Sequence, residues 1–132
     1  FLIKNQYSFI FLTFTVMNFR FPKSEKLKSK KMIELLFAEG SSISKYPIKV
    51  LYLPSDDIKK TQAAFAVPKR NFISAVDRNR IKRQLREIYR LQKHLLKNEK
   101  ELKFSLFFLY IGKEKLPYSA IETSITFLIN KI

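Results

Sequence analysis

The chain has 132 residues, with 26 Lys+Arg against 11 Asp+Glu, a formal charge of +15, and 46% hydrophobic and 14% aromatic residues. That length supports a single core, and the apolar content is too high for a disordered basic tail. The absence of Cys and the single His, His94, exclude disulfide scaffolds, thiolate or His-cluster metal sites and cysteine nucleophiles, leaving a folded basic domain whose expected partner is a polyanion.

Residues 1–19 stand apart in composition. Tyr7–Val16 is apolar and β-prone, but a bilayer span needs about 20 such residues. Lys4 followed by Phe9–Val16 has the charged and apolar parts of a secretory signal, yet no small-residue cleavage site follows and the chain runs into Arg20 and Lys23. We read 1–19 as an extension outside the fold with Met17 as the expected initiator. A docking strand and a targeting signal are the other readings. Residues 20–132 are expected to form one domain.

Ser29 is a suitable N-cap for a helix over Lys30–Glu39, with Met32, Ile33, Leu36 and Phe37 on one face and Gly40 as the stop. Ile48–Leu53 reads as a strand bounded by Pro47 and Pro54, followed by a polar turn over 55–60 that holds Asp56 and Asp57. Ala63–Val67 reads as a short buried strand ending at Pro68. Phe104–Ile111 is almost continuously apolar, as in a strand covered on both faces. After Pro117, the spacing of Ile121, Ile125, Leu128, Ile129 and Ile132 predicts a final helix packed on the sheet.

The informative segment runs from Ser74 to about Lys97. On a wheel with Arg78 at zero, Ile81, Leu85, Ile88 and Leu95 fall between about 260° and 340°, while Arg78, Lys82, Arg83, Arg86, Arg90 and Lys93 fall between about 0° and 140° and Arg80 near 200°. From Lys69 to Lys93 nine basic residues face two acidic ones, Asp77 and Glu87. A merely solvated helix face mixes both signs for i,i+4 pairing. One sign dominates here, which points to a nucleic acid. A second basic block, Arg20–Lys31, has six cations against Glu25. A membrane surface is the competing polyanion, but the core needs the apolar stripe of this helix.

The run Ala75-Val76-Asp77-Arg78-Asn79-Arg80-Ile81-Lys82-Arg83-Gln84-Leu85-Arg86-Glu87 resembles the family of bacterial ribonuclease P protein components, with Arg78-Asn79-Arg80 in the place of that family's RNR signature. Lys26-Leu27-Lys28 and Phe37-x-x-Gly40 are similar to its opening helix and glycine exit. Val50-Leu51-Tyr52 resembles its first long strand, and Phe65-Ala66-Val67-Pro68-Lys69-Arg70 the strand ending in two basic residues. The likeness covers about residues 20–130, and the order of these motifs is more specific than any one of them. Ile33 stands where many members have an aromatic residue, Pro68 replaces a small polar residue, and 1–16 have no counterpart.

The resemblance implies an α+β fold with α-β-β-β-α-β-α order, a mixed sheet, helices packed on it and a left-handed β-α-β crossover. General topology favours the opposite hand. It also implies a subunit of an endoribonuclease, ribonuclease P, whose RNA component performs the Mg²⁺-dependent removal of the 5′ leader from precursor tRNA. The protein then has no catalytic residue and no metal ligand of its own. Arg78, Asn79, Arg80, Lys82, Arg83, Arg86, Lys69 and Arg70 are the expected RNA contacts, and Phe37, Tyr52 and Ile33 the expected leader-binding cleft. Ordinary core packing is the competing role for Phe37 and Tyr52. The implied partners are ribonuclease P RNA and precursor tRNA, with a monomer in a 1:1 complex in the cytoplasm and no membrane. The acidic residues agree with a binder: they are scattered, with no carboxylate cluster suited to hold metal ions. A ribosomal or other structural RNA-binding protein and a DNA-binding module remain open alternatives on the residues alone.

Overall fold

The computed structural model describes residues 21–55, 58, 60–96 and 103–132. The readings of residues 1–19, Arg20, Asp56 and Asp57 lie outside the described residues. Helix α1 (Lys30–Glu39) is followed by strands β1 (Ser41–Lys45), β2 (Ile48–Ser55) and β3 (Gln62–Ala66), helix α2 (Ala75–Gln92), strand β4 (Lys103–Tyr110) and helix α3 (Tyr118–Lys131), with 3₁₀ turns at Lys23–Glu25 and Lys93–Leu95. This is the expected α-β-β-β-α-β-α order. The strands make one mixed sheet ordered β1-β2-β4-β3, antiparallel except for the parallel β3–β4 pair that α2 connects.

Local chemistry sets the helix ends. The Ser29 hydroxyl accepts a hydrogen bond from the Met32 N–H at 3.2 Å, capping α1. Gly40 closes it by donating its N–H to the Leu36 carbonyl at 2.9 Å. The Gly40 φ of −69° is open to any residue. What requires glycine is space, because a Cβ there would lie 2.5 Å from the Leu36 carbonyl oxygen. In α2 the cap is Ser74, whose hydroxyl accepts from the Asp77 N–H. Asp77 sits in the first turn, where its carboxylate favours the positive end of the helix.

Strand alternation divides the core into two layers. Leu106, Phe108 and Tyr110 of β4 join Ile48, Val50 and Ala63 on the face covered by Ile81, Leu85, Ile88 and Tyr89 of α2 and by Ile121, Ile125, Leu128 and Ile129 of α3. Phe107 and Leu51 point to the other face, where Leu36 of α1 and Leu27 cover them, with Met32, Ile33, Leu53, Ala64, Ala66 and Leu109 packed around. Coverage of β4 on both faces explains its almost continuous apolar run, which Ser105 alone interrupts between Phe104 and Tyr110. Phe65 stacks on Phe108 with centroids 5.4 Å apart, and the buried Tyr89 ring closes on both at 5.7 and 5.6 Å.

Three strands differ in their bounds from the sequence reading, among them β4, which begins and ends one residue earlier than Phe104–Ile111. β2 continues through Pro54 to Ser55. β1 stops opposite Tyr52, so Pro54 lies where β2 has only β4 beside it, and a missing N–H is tolerated there. β3 begins and ends one residue earlier than Ala63–Val67.

After β4, the Tyr110 hydroxyl donates to the Glu114 carbonyl at 2.7 Å and accepts from the Leu116 N–H at 3.2 Å, pinning the turn that carries Lys113 and Lys115. Tyr110→Phe removes both bonds without changing the shape of the ring. It is expected to lower unfolding free energy by about 1–3 kcal/mol in urea titrations, and an unchanged midpoint would show that other contacts hold this turn.

Candidate nucleic-acid interface

Burial of Ile81, Leu85, Ile88 and Tyr89 fixes which side of α2 meets solvent. Tyr89 falls near 20° on the wheel, inside the arc that sequence reading gave to cations. The inward stripe is therefore wider on that side than expected. Arg78 and Lys82 sit on its shoulder, half-buried, and the exposed residues beyond them are Asn79, Arg80, Arg83 and Arg86, together with Glu87. Arg78 has a task that spacing did not reveal. Its Nη1 donates to the Phe72 and Ile73 carbonyls, both at 2.7 Å, and so braces the loop entering the helix.

Each acid of this region is matched with a cation other than Arg80, Arg83 and Arg86. Asp77 pairs with Lys115 at 3.0 Å. Glu87 accepts from Arg90 Nε at 3.2 Å, and this bond holds its carboxyl below the usual carboxylate range. Glu25, the one acid of the N-terminal basic block, meets Lys93 at 2.6 Å, tying that block to the end of α2. Among the described residues no ion pair engages Arg80, Lys82, Arg83 or Arg86. The outward face of α2 thus presents uncompensated positive charge.

A groove lies on the opposite face of the sheet. Helix α1 covers Leu51 and Phe107, but Leu109 and Ala66, neighbours in the β3–β4 register, are only half-buried. Beyond them Pro68, Arg70, Asn71, Leu109, Ile111 and Lys113 line a cavity of about 380 Å³. At the end of α1, Phe37 is 57% exposed and meets the Phe107 ring edge-on at 5.2 Å. Ile33 is half-buried against the same cluster. Lys69 and Arg70 are exposed, and the loop they open leads from the groove wall to the first turn of α2.

Ile33 and Phe37 therefore lie on the α1 side of the sheet with Ala66 and Leu109, Arg70 lines the cavity beyond them, and Asn79, Arg80, Arg83 and Arg86 lie on α2, which packs on the other layer. Tyr52 does not join the α1 side. It packs against the layer beneath α2 and α3, its ring edge-on to Phe104 at 6.4 Å, because it is one residue out of step with Leu51. Asn71, Leu109, Ile111 and Lys113 were missed, since they come from two separate strand ends that only the β3–β4 pairing brings together. His94 is exposed near the end of the helical segment. Among the described residues no three His, Asp or Glu side chains gather into a metal site, and no helix is long and apolar enough to cross a membrane.

Comparison with known proteins gives a consistent picture. The family model described as Ribonuclease P matches residues 21–132. The ribonuclease P protein component of Porphyromonas gingivalis is 33% identical over 109 residues, spanning 79% of this chain and 80% of that protein. The corresponding protein of Chlorobium phaeobacteroides is 39% identical over 79 residues, 56% of this chain and 54% of its own. In structure, the RNase P protein from Thermotoga maritima aligns with a TM-score of 0.69 at 22% identity, covering 82% of this chain and 97% of that one. The Staphylococcus aureus RNase P protein aligns at 0.70 and 19% identity, covering 83% and 95%. These two structural likenesses concern the fold.

Proposed function

The chain belongs to the ribonuclease P protein family, and we propose that it binds the catalytic RNA through the outward face of α2 and holds the 5′ leader of precursor tRNA in the groove beside α1. The observation that carries this reading is the row Asn79, Arg80, Arg83 and Arg86, exposed and without acidic partners among the described residues. Arg forks can take two phosphate oxygens at once, and each such bond releases condensed counterions. In the groove, the open face of Phe37 offers a stacking platform for an unpaired base, with Arg70 and Lys113 placed for the flanking phosphates. Stacking contributes about 1–3 kcal/mol per base, roughly 5- to 150-fold in affinity, and tolerates any sequence.

In this division of labour the chain orients and the RNA cleaves. Asp77, Glu87 and Glu25 are committed to cations, and the described carboxylates do not converge, so they do not fit a Mg²⁺ centre. Mg²⁺ is assigned to the RNA. A 1:1 complex with the RNA in the cytoplasm completes the proposal.

Reconstitution with ribonuclease P RNA and precursor tRNA at low Mg²⁺ tests it. The expected result is faster 5′-leader removal and tighter binding of precursor than of leaderless tRNA. No gain in either, or leader cleavage by the chain without RNA, would reject the reading.

A further inference from the structure

The two most exposed large aliphatic side chains among the described residues lie together at the entrance to the basic helix: Ile73 at 84% and Val76 at 76%. An isolated exposed aliphatic needs no explanation, but these two lie on an ordered junction three residues apart. Phe72 is buried with its ring 5.7 Å from Tyr110, which turns the next side chain outward. The Ile73 carbonyl is held by Arg78 at 2.7 Å, and the following residue, Ser74, is the helix cap. An apolar residue just before a cap usually packs against the fourth helical residue. Here that position is Arg78, whose guanidinium bonds backbone oxygen instead, so Ile73 has no apolar partner there. Val76 begins the outward stripe, at i to Asn79, Arg80 and Arg83 at i+3, i+4 and i+7.

Resting on the RNA-binding reading above, we propose that Ile73 and Val76 are RNA-binding residues that pack on an unstacked base or ribose of ribonuclease P RNA, at a helix end or bulge next to the phosphates gripped by Arg80 and Arg83. Charge selects this occupant: the pair is set in a cationic surface, which fits a polyanion with exposed base faces. Recognition of RNA uses such unstacked positions, where a base face or ribose is free for side-chain contact. The packing gives the arginine row a fixed register, because an aliphatic wedge fits only where stacking is interrupted. Phosphate contacts alone do not discriminate one stretch of backbone from another.

The test separates apolar from ionic binding. Apolar packing releases no counterions, so its removal shifts affinity by the same factor at every salt concentration, whereas removal of a phosphate-binding cation changes the slope. The double variant Ile73→Ser, Val76→Ser is expected to bind ribonuclease P RNA about tenfold more weakly, with the plot of log affinity against log salt displaced in parallel. The apolar pair Ile73→Leu, Val76→Ile is expected to keep native affinity. Native affinity in the serine variant, a change of slope, or an equal loss in the Leu/Ile variant would overturn the proposal while leaving the family-based reading intact. Failure of the unmodified protein to bind the RNA would instead reject that reading.

Discussion

Replacing Arg80, Arg83 and Arg86 together with alanine is expected to weaken binding to ribonuclease P RNA at least about 100-fold at low salt, since charged hydrogen bonds contribute about 1.5–3 kcal/mol each. The slope of log affinity against log salt should fall by about 0.7–0.9 for every phosphate no longer neutralised, and thermal stability should barely move because all three side chains are exposed. Arg78 provides the contrast. Its sequence neighbours suggest an equal phosphate contact, but the guanidinium bonds two backbone carbonyls and lies half-buried. Arg78→Ala is accordingly expected to lower stability by about 1–3 kcal/mol and to flatten the salt dependence less than Arg83→Ala. Titrations of RNA binding across salt, together with urea denaturation of the same variants, decide this. If Arg78→Ala flattened the slope as much as Arg83→Ala with no change in stability, the bracing role would be wrong.

Why Arg78 and Tyr89 misled a reading by periodicity is physical. A wheel at 100° per residue assigns angles, but the width of the buried arc depends on what packs against it. Tyr89 is large enough to reach Phe65 and Phe108 from the edge of the stripe, and its burial raises the pKa of its phenol. The segment Ile48–Leu53 was legible as a strand because its residues suit a pleated core. Its phase was not legible, since an apolar run that serves two buried faces does not announce which residues share a side. Tyr52 fell on the wrong face for that reason. Helix α1 was read to its exact residues because Ser29 and Gly40 both act within one turn of its ends. By contrast β1 (SSISK) has one half-buried residue, Ile43, and no residue-level signal of an edge strand; the resemblance implied a further strand before the basic helix but did not say where it lies. The groove is further from the sequence still. Its walls, Pro68 to Asn71 and Leu109 to Lys113, are separated by a whole helix and meet because β3 and β4 run parallel.

Leu36→Ala is expected to have the largest effect on the groove without altering any residue that lines it. Leu36 is the one fully buried side chain of α1, seated against Leu51 and Phe107. A helix of this length is unstable alone and depends on such packing. Truncating a buried leucine costs about 2–5 kcal/mol through lost transfer energy and the cavity left behind, a large share of the roughly 5–15 kcal/mol that holds a small domain together. Loosening α1 also frees Phe37 from its edge-on packing with Phe107, so selection of precursor over leaderless tRNA should fall even well below the melting temperature. Binding to ribonuclease P RNA alone should persist, because α2 is anchored in the other core layer. Phe37→Ala separates the two consequences: with the side chain more than half exposed, it should remove the same selectivity at a much smaller cost in stability. If Leu36→Ala retained full selectivity, or if Phe37→Ala left the preference for precursor untouched, the groove beside α1 would not be where the leader is held.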